Sequence, residues 1–242
     1  MLEPDDSHYQ RLYDTYWKRP DVQIFQKSRT SKYNSQGKYL WLLEDPSGFM
    51  EAAFDTKIVT VSEEYMRAAN SAISFSKDAL AVETAHFDAS SPPCNPFQGH
   101  EDVVAGIKRG FSVNGRRRLG KSVWLCLILI WRLQCGLTTA YASYGPYWVV
   151  FNEKGFHNLG VDTSRSPGAA VYVNGLFGNH FWFLVDTTAG CYEGDMPASL
   201  VTSCCYLVQA TTAQRIGWEY HCRTVRTHKM DVPILWYNEH FM

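Results

Sequence analysis

The residues best placed to do chemistry together are Gly115-Arg116-Arg117-Arg118-Leu119-Gly120-Lys121-Ser122, which satisfy the spacing G-x-x-x-x-G-K-[ST]. That spacing suits a phosphate. The backbone N–H groups of a tight loop, followed by the positive end of a helix, converge on a polyanion. In such a loop Gly115, Arg116, Arg117, Arg118, Leu119 and Gly120 form the cradle, and the two glycines let the backbone pass close to the ligand. Lys121 neutralises the β- and γ-phosphates, and the Ser122 hydroxyl ligates Mg²⁺. A second signal is Phe181-Trp182-Phe183-Leu184-Val185-Asp186, an apolar run ending in a carboxylate, the form expected of a group that holds hydrated magnesium. A third is Tyr206-Leu207-Val208-Gln209-Ala210-Thr211-Thr212, an apolar run ending in hydroxyls, where Thr211 or Thr212 would sense the γ-phosphate. Apolar runs ending in Asp or Thr are common at strand ends. The order of the three signals is what carries meaning.

Other constellations are weaker. Cys126 and His180 could be read as a thiol and base, but Cys126 lies between Leu125 and Leu127, where cysteine serves as a small core hydrophobe. Cys204 and Cys205 are adjacent, so one site could use only one of them. Lys108, Arg109, Arg116, Arg117, Arg118 and Lys121 could touch nucleic acid, with the N-terminal tyrosines Tyr9, Tyr13 and Tyr16 stacking on bases. A phosphate-directed patch is the better reading, because the chain is not basic overall. Glu153, Glu193 and Asp195 are available to polarise a water, and no spacing singles one out.

These groups need elements to hold them. A strand over Gly110–Val113 leads into the loop, and the apolar run Ser122–Gln134 reads as the helix that follows. Further apolar runs at Thr138–Ala142, Tyr147–Asn152, Ala169–Val173, Phe181–Val185 and Tyr206–Ala210 resemble central parallel strands covered on both faces, with a helix over Ala213–Cys222. Upstream, the short apolar patch Tyr39–Leu43 and the alternating run Lys57–Val61 belong to a zone that reads as short helices and strands. Ser62, followed by Glu63 and Glu64, reads as the N-cap of a helix over 63–75. Prolines between Asp88 and Phe97 mark a linker. The expectation is an α+β N-terminal region, 1–100, and an α/β domain, 101–242, with three layers around a mainly parallel sheet.

Composition narrows the function. With 45% hydrophobic and 19% charged residues the 242-residue chain can bury a core, and a net charge of −1 supplies no field to recruit nucleic acid or an anionic membrane. Seven cysteines without C-x-x-C spacing argue for reduced thiols and no zinc site. The longest apolar run, Val123–Trp131, falls far short of the roughly 20 residues a bilayer span needs, and MLEPDDSHYQ lacks the pattern of a secretory signal. An intracellular setting, cytoplasm or nucleus, is expected.

From about Gly110 onward the chain resembles the P-loop NTPase module of Crinkler-type effectors and the related retrotransposon hot spot proteins. The resemblance rests on the loop Gly115–Ser122, the apolar helix ending near Arg132, the segment Tyr147–Gly155, the run Phe181–Asp186, and Val208-Gln-Ala-Thr211-Thr212 with Trp218 beyond it. The family loop usually reads G-x-P-G-I-G-K-S, so Arg117 and Arg118 stand where proline and glycine would be. The resemblance implies a P-loop NTPase fold with Asp231–Leu235 as its last strand, and Mg²⁺-dependent binding of ATP or GTP with slow hydrolysis at most. It further implies a translocated effector with a protein partner or homo-oligomer, and a chain lacking the family's helical lid. Two other readings stand beside it: a pseudo-NTPase interaction module, and a nucleic-acid-binding effector.

Overall fold

Among the residues that the computed structural model describes (5–27, 41–77, 91–100, 102, 109–115, 120–142, 147–160, 181–187, 205–211 and 226–231), seven strands form one mixed sheet. They are β4 (Arg109–Asn114), β5 (Thr139–Ala142), β6 (Tyr147–Asn152), β7 (Gly155–Gly160), β8 (Trp182–Asp186), β9 (Tyr206–Thr211) and β10 (Arg226–Asp231), in the order β10-β4-β9-β8-β5-β6-β7. From β10 to β5 all neighbours run parallel. The hairpin β6–β7 extends the sheet antiparallel to β5. The architecture is therefore α/β with a mostly parallel sheet, as the alternation of apolar runs and helices anticipates.

Fully apolar strands signal burial on both faces, and burial does not reveal direction. β6 shows this: Val149 and Phe151 belong to one core cluster, Trp148 and Val150 to the other, yet the strand is antiparallel. Its turn at Glu153-Lys154 is short because the Asn152 side chain accepts from Lys154 N at 2.8 Å and Gly155 takes φ +118°. β7, with His157 and Asn158 among its residues, was not legible as a strand. The last described strand is β10 at 226–231, earlier than the expected 231–235, most of which lies outside the described residues, as do the expected elements over 169–173 and 213–222.

The smaller sheet is antiparallel, β1 (Phe25–Lys27), β2 (Trp41–Glu44) and β3 (Ile58–Val61), in that order. Helix α1 (Asp6–Tyr16) starts on a capping box at Asp5, whose carboxylate accepts from Ser7 N at 3.0 Å and His8 N at 3.2 Å. It buries Tyr9, Leu12 and Tyr16, so the rings of Tyr9 and Tyr16 serve the core and are not displayed for stacking on bases. α2 (Phe49–Phe54) hangs on the buried Asp45, which accepts from Tyr16 Oη at 2.7 Å and Met50 N at 2.8 Å. α3 (Glu63–Ser76) occupies the expected span, although Ser62 makes no side-chain cap bond.

The long helix α4 (Lys121–Gln134) lies on one face of the large sheet, against β5, β8 and β9. Every side chain from Val123 to Gln134 is buried, which explains its all-round apolar sequence. Leu12, Tyr16 and Tyr65 share a single core cluster with Trp124, Ile128, Leu184 and Val208, so residues before and after position 100 bury apolar surface against one another.

Candidate functional site

Three adjacent parallel strands, β4, β9 and β8, end at the same edge of the sheet. The register pairs Asn114 with Thr211 and Asp186 with Ala210, so the loop start at Gly115, the carboxylate of Asp186 and the hydroxyl of Thr211 follow neighbouring strand ends. Ligands of open α/β sheets bind at this carboxyl edge, where strand order reverses. Here β4 leads through α4 to β5, three positions away, while β10 lies on its other side.

Gly120 sits in the left-handed region at φ +79°, ψ 13°, a conformation that favours glycine, and it opens α4 with no side-chain cap. Lys121 follows as the first helical residue. Its side chain is buried, 2% exposed, and Nζ donates to Gly115 O at 2.9 Å, folding back across the loop. Burial pushes the Lys121 ammonium below its ordinary pKa, and the negative charge of Asp186 pulls it back up. Asp186 is fully buried, and by alternation with Trp182 and Leu184 it lies on the α4 face of the sheet, the face of Lys121. Ser122, half-buried, sits in the first turn of the same helix.

Thr211 reaches the same edge but the other face. Val208 and Ala210 belong to the α4-side core and Leu207 to the opposite one, so Gln209 and Thr211 alternate away from Lys121. There they join an uncharged buried group with Ser112 and Thr187. Thr187 N and Oγ1 both donate to Ala210 O at 3.0 Å, and Gln209 Nε2 donates to Thr187 Oγ1 at 3.2 Å. The hydroxyl after Asp186 is thus engaged in holding β8 to β9. The sequence reading gave Ser112 and Gln209 no role of their own, although a polar residue inside an apolar strand is a signal that could have singled them out.

The remaining candidates separate. Arg116, Arg117, Arg118, Leu119, Thr212, His180, Glu193, Asp195, Cys204, Lys108 and Trp218 lie outside the described residues. Arg109 starts β4, the end opposite Gly115, so it stands at the far edge of the sheet from Lys121. Glu153 lies in the turn after β6, and because β6 runs against β5 this turn is also at the far edge, where Glu153 meets Lys18 at 2.7 Å. It cannot polarise a water beside Asp186. Cys126 is fully buried and its thiol is pushed well up by desolvation, as suits packing and not nucleophilic attack.

Arg132, near the far end of α4, is wholly buried. It forms a bidentate pair with Asp102 at 2.9 and 2.7 Å, donates to Thr139 Oγ1 and Thr138 O at 2.9 Å, and stacks over Trp182 at 4.6 Å. Its role is to anchor α4 to the start of β5. Among the described residues no three His, Cys, Asp or Glu side chains gather closely enough to hold a metal alone, and no helix is long and apolar enough to cross a membrane.

The fold and this edge define an α/β protein with a glycine-to-lysine helix start facing a buried carboxylate. Comparison with protein-family models, with curated proteins and with solved structures finds no match to the chain.

Proposed function

We propose that the chain is a P-loop NTPase-fold protein with three α/β layers, and that it binds the triphosphate of ATP or GTP with Mg²⁺ as the nucleotide module of a Crinkler-type effector. The observation that carries this is the burial of both Lys121 and Asp186 on the α4 face at one carboxyl edge, with Lys121 opening a helix directly after a glycine in the left-handed region. A lysine is costly to bury, and an adjacent carboxylate compensates only part of that cost. A phosphate beside Nζ completes the compensation, and the first amides of α4 add the positive end of the helix.

The oxygen donors fit magnesium. Ser122 supplies a hydroxyl and Asp186 a carboxylate, both hard ligands, and Mg²⁺ usually takes one or two such groups together with phosphate oxygens and waters. When bound, the ion would neutralise charge developing between the β- and γ-phosphates. The chain's own residues would do the rest: Gly115 to Ser122 cradle the phosphates, Lys121 pairs with them, and Asp186 holds the hydration shell of the ion. Thr211 lies on the other face, so its contribution to a γ-phosphate would pass over the strand ends and not along the α4 side.

A binding protein with little turnover is favoured over an efficient NTPase by one observation. Thr187 follows Asp186, carries no charge, and has its hydroxyl committed to Ala210 O and Gln209. Nothing at that position can take a proton from water as a carboxylate does. Titration of the folded chain with ATP and with GTP, each with and without Mg²⁺, tests the reading: saturable, magnesium-dependent binding is expected. No binding at millimolar nucleotide would leave an interaction module that keeps the fold alone.

A further inference from the structure

Resting on the nucleotide-site reading, we infer that Tyr65 is a positioning residue for that site, so that helix α3 of the N-terminal region sets how well the loop holds phosphate. Two hydrogen bonds join the first turn of α3 to the first turn of α4. Tyr65 Oη donates to Gly120 O at 3.3 Å, and Trp124 Nε1 donates to Tyr65 O at 3.2 Å. Tyr65 and Trp124 are both fully buried, so neither bond is exchanged with solvent.

The target of the tyrosine is what gives the contact meaning. Gly120 O has two lone pairs: one accepts the helical bond from Trp124 N at 2.9 Å, and the other faces the tyrosine hydroxyl. The same carbonyl belongs to the Gly120–Lys121 peptide. In a planar trans peptide the C=O and N–H point in opposite directions. Holding the carbonyl toward α3 and the helix therefore aims the Lys121 N–H out of the helix start, the side from which a phosphate approaches. Gly120 lacks a Cβ and can rotate freely, so an outside hold on its peptide plane has an entropic task that a bulkier residue would not leave open.

The α3 end of the clamp is itself fixed. Tyr206 Oη donates to Ala72 O at 2.8 Å, tying α3 to β9, and Phe75 lies against His228 of β10 at 5.3 Å. The tyrosine hydroxyl is thus held by an element fastened to the strands that flank β4, and the loop is held by the tyrosine.

The test compares Tyr65→Phe with Tyr13→Phe in the full chain, each losing one tyrosine hydroxyl bond, that of Tyr13 running to Asn152 O at the far edge of the sheet, by MgATP and MgGTP titration, thermal unfolding, and hydrogen exchange over residues 120–124. Tyr65→Phe is expected to weaken nucleotide binding by about three- to tenfold, the worth of one hydrogen bond, and to speed exchange at the helix start. Tyr13→Phe is expected to leave both the dissociation constant and the exchange over residues 120–124 unchanged. Wild-type binding with equal affinity in Tyr65→Phe would overturn this inference and leave the nucleotide site standing. No binding by the wild type would overturn both. Should Tyr65→Phe not fold, Trp124→Phe removes the other bond of the clamp and carries the same expectation for affinity.

Discussion

His100 should make the protein lose stability in mild acid. Its side chain is 2% exposed, edge-on to the rings of Phe97 at 5.6 Å and Trp182 at 6.3 Å, and neither ring nitrogen has a hydrogen-bond partner among the described residues. Burial first, then the charge of Lys77, hold its pKa down to about 4, with Arg132 adding to the effect and Asp102, 3.9 Å away, opposing it. The unfolded chain returns to the ordinary value of 6.5. Between these values the unfolded state takes up a proton that the folded state excludes, so stability falls as pH drops below 6.5 and the loss is complete below about 4. The loss is about 2 kcal/mol at pH 5 and about 3 kcal/mol in full. His100→Phe keeps an aromatic ring against Phe97 and Trp182 and removes the titration. Urea unfolding near pH 7.5 and near pH 5 should show a stability difference about 2 kcal/mol smaller in the variant than in the wild type. Equal differences in the two proteins would refute the reasoning.

Three further outcomes are expected. Asp102→Ala leaves the buried Arg132 guanidinium without its bidentate partner and should cost about 3–5 kcal/mol in denaturant unfolding, much of it recovered when Arg132→Met is added. Arg118→Gly should tighten nucleotide binding in a competition titration if the loop holds phosphate as proposed, because glycine admits the left-handed backbone that lets loop amides converge; unchanged or weaker affinity would mean the arginine is a phosphate ligand. Phosphate release by the purified chain should stay well below about 1 s⁻¹, and a faster rate in a coupled assay would require a carboxylate beside the γ-phosphate, with Glu193 and Asp195 the first to replace.

Local pattern made much of the site legible. The helix that opens at Lys121 and the run ending in Asp186 are each continuous in sequence, and both fell where the apolar pattern placed them, while residues 116–119 of the loop lie outside the described residues. Sidedness was harder. Thr211 ends its strand as expected, but which face it takes depends on alternation with Val208 and Ala210 against α4, a tertiary fact. Glu153 was indistinguishable from other carboxylates until the hairpin β6–β7 carried it to the far edge. The antiparallel direction of β6 was hidden because two-sided burial erases the polar alternation that marks most antiparallel strands. Tyr65 and Arg132 gave signals of different strength. An arginine inside Val123–Leu133 announces a buried partner, whereas a tyrosine early in an amphipathic helix announces nothing, and its bond to Gly120 joins segments 55 residues apart.

If Lys121 and Asp186 form one half of a phosphate site, isothermal titration of MgATP and MgGTP into wild type and Lys121→Ala will separate the two proteins. Loss of a charge-assisted bond to phosphate is worth about ten- to hundredfold in affinity. Saturable binding by the wild type, dependent on Mg²⁺, is expected, with at least a tenfold loss in a Lys121→Ala protein shown by circular dichroism to be folded. Equal affinity in the two proteins, or no heat of binding in the wild type, would contradict the phosphate-site reading.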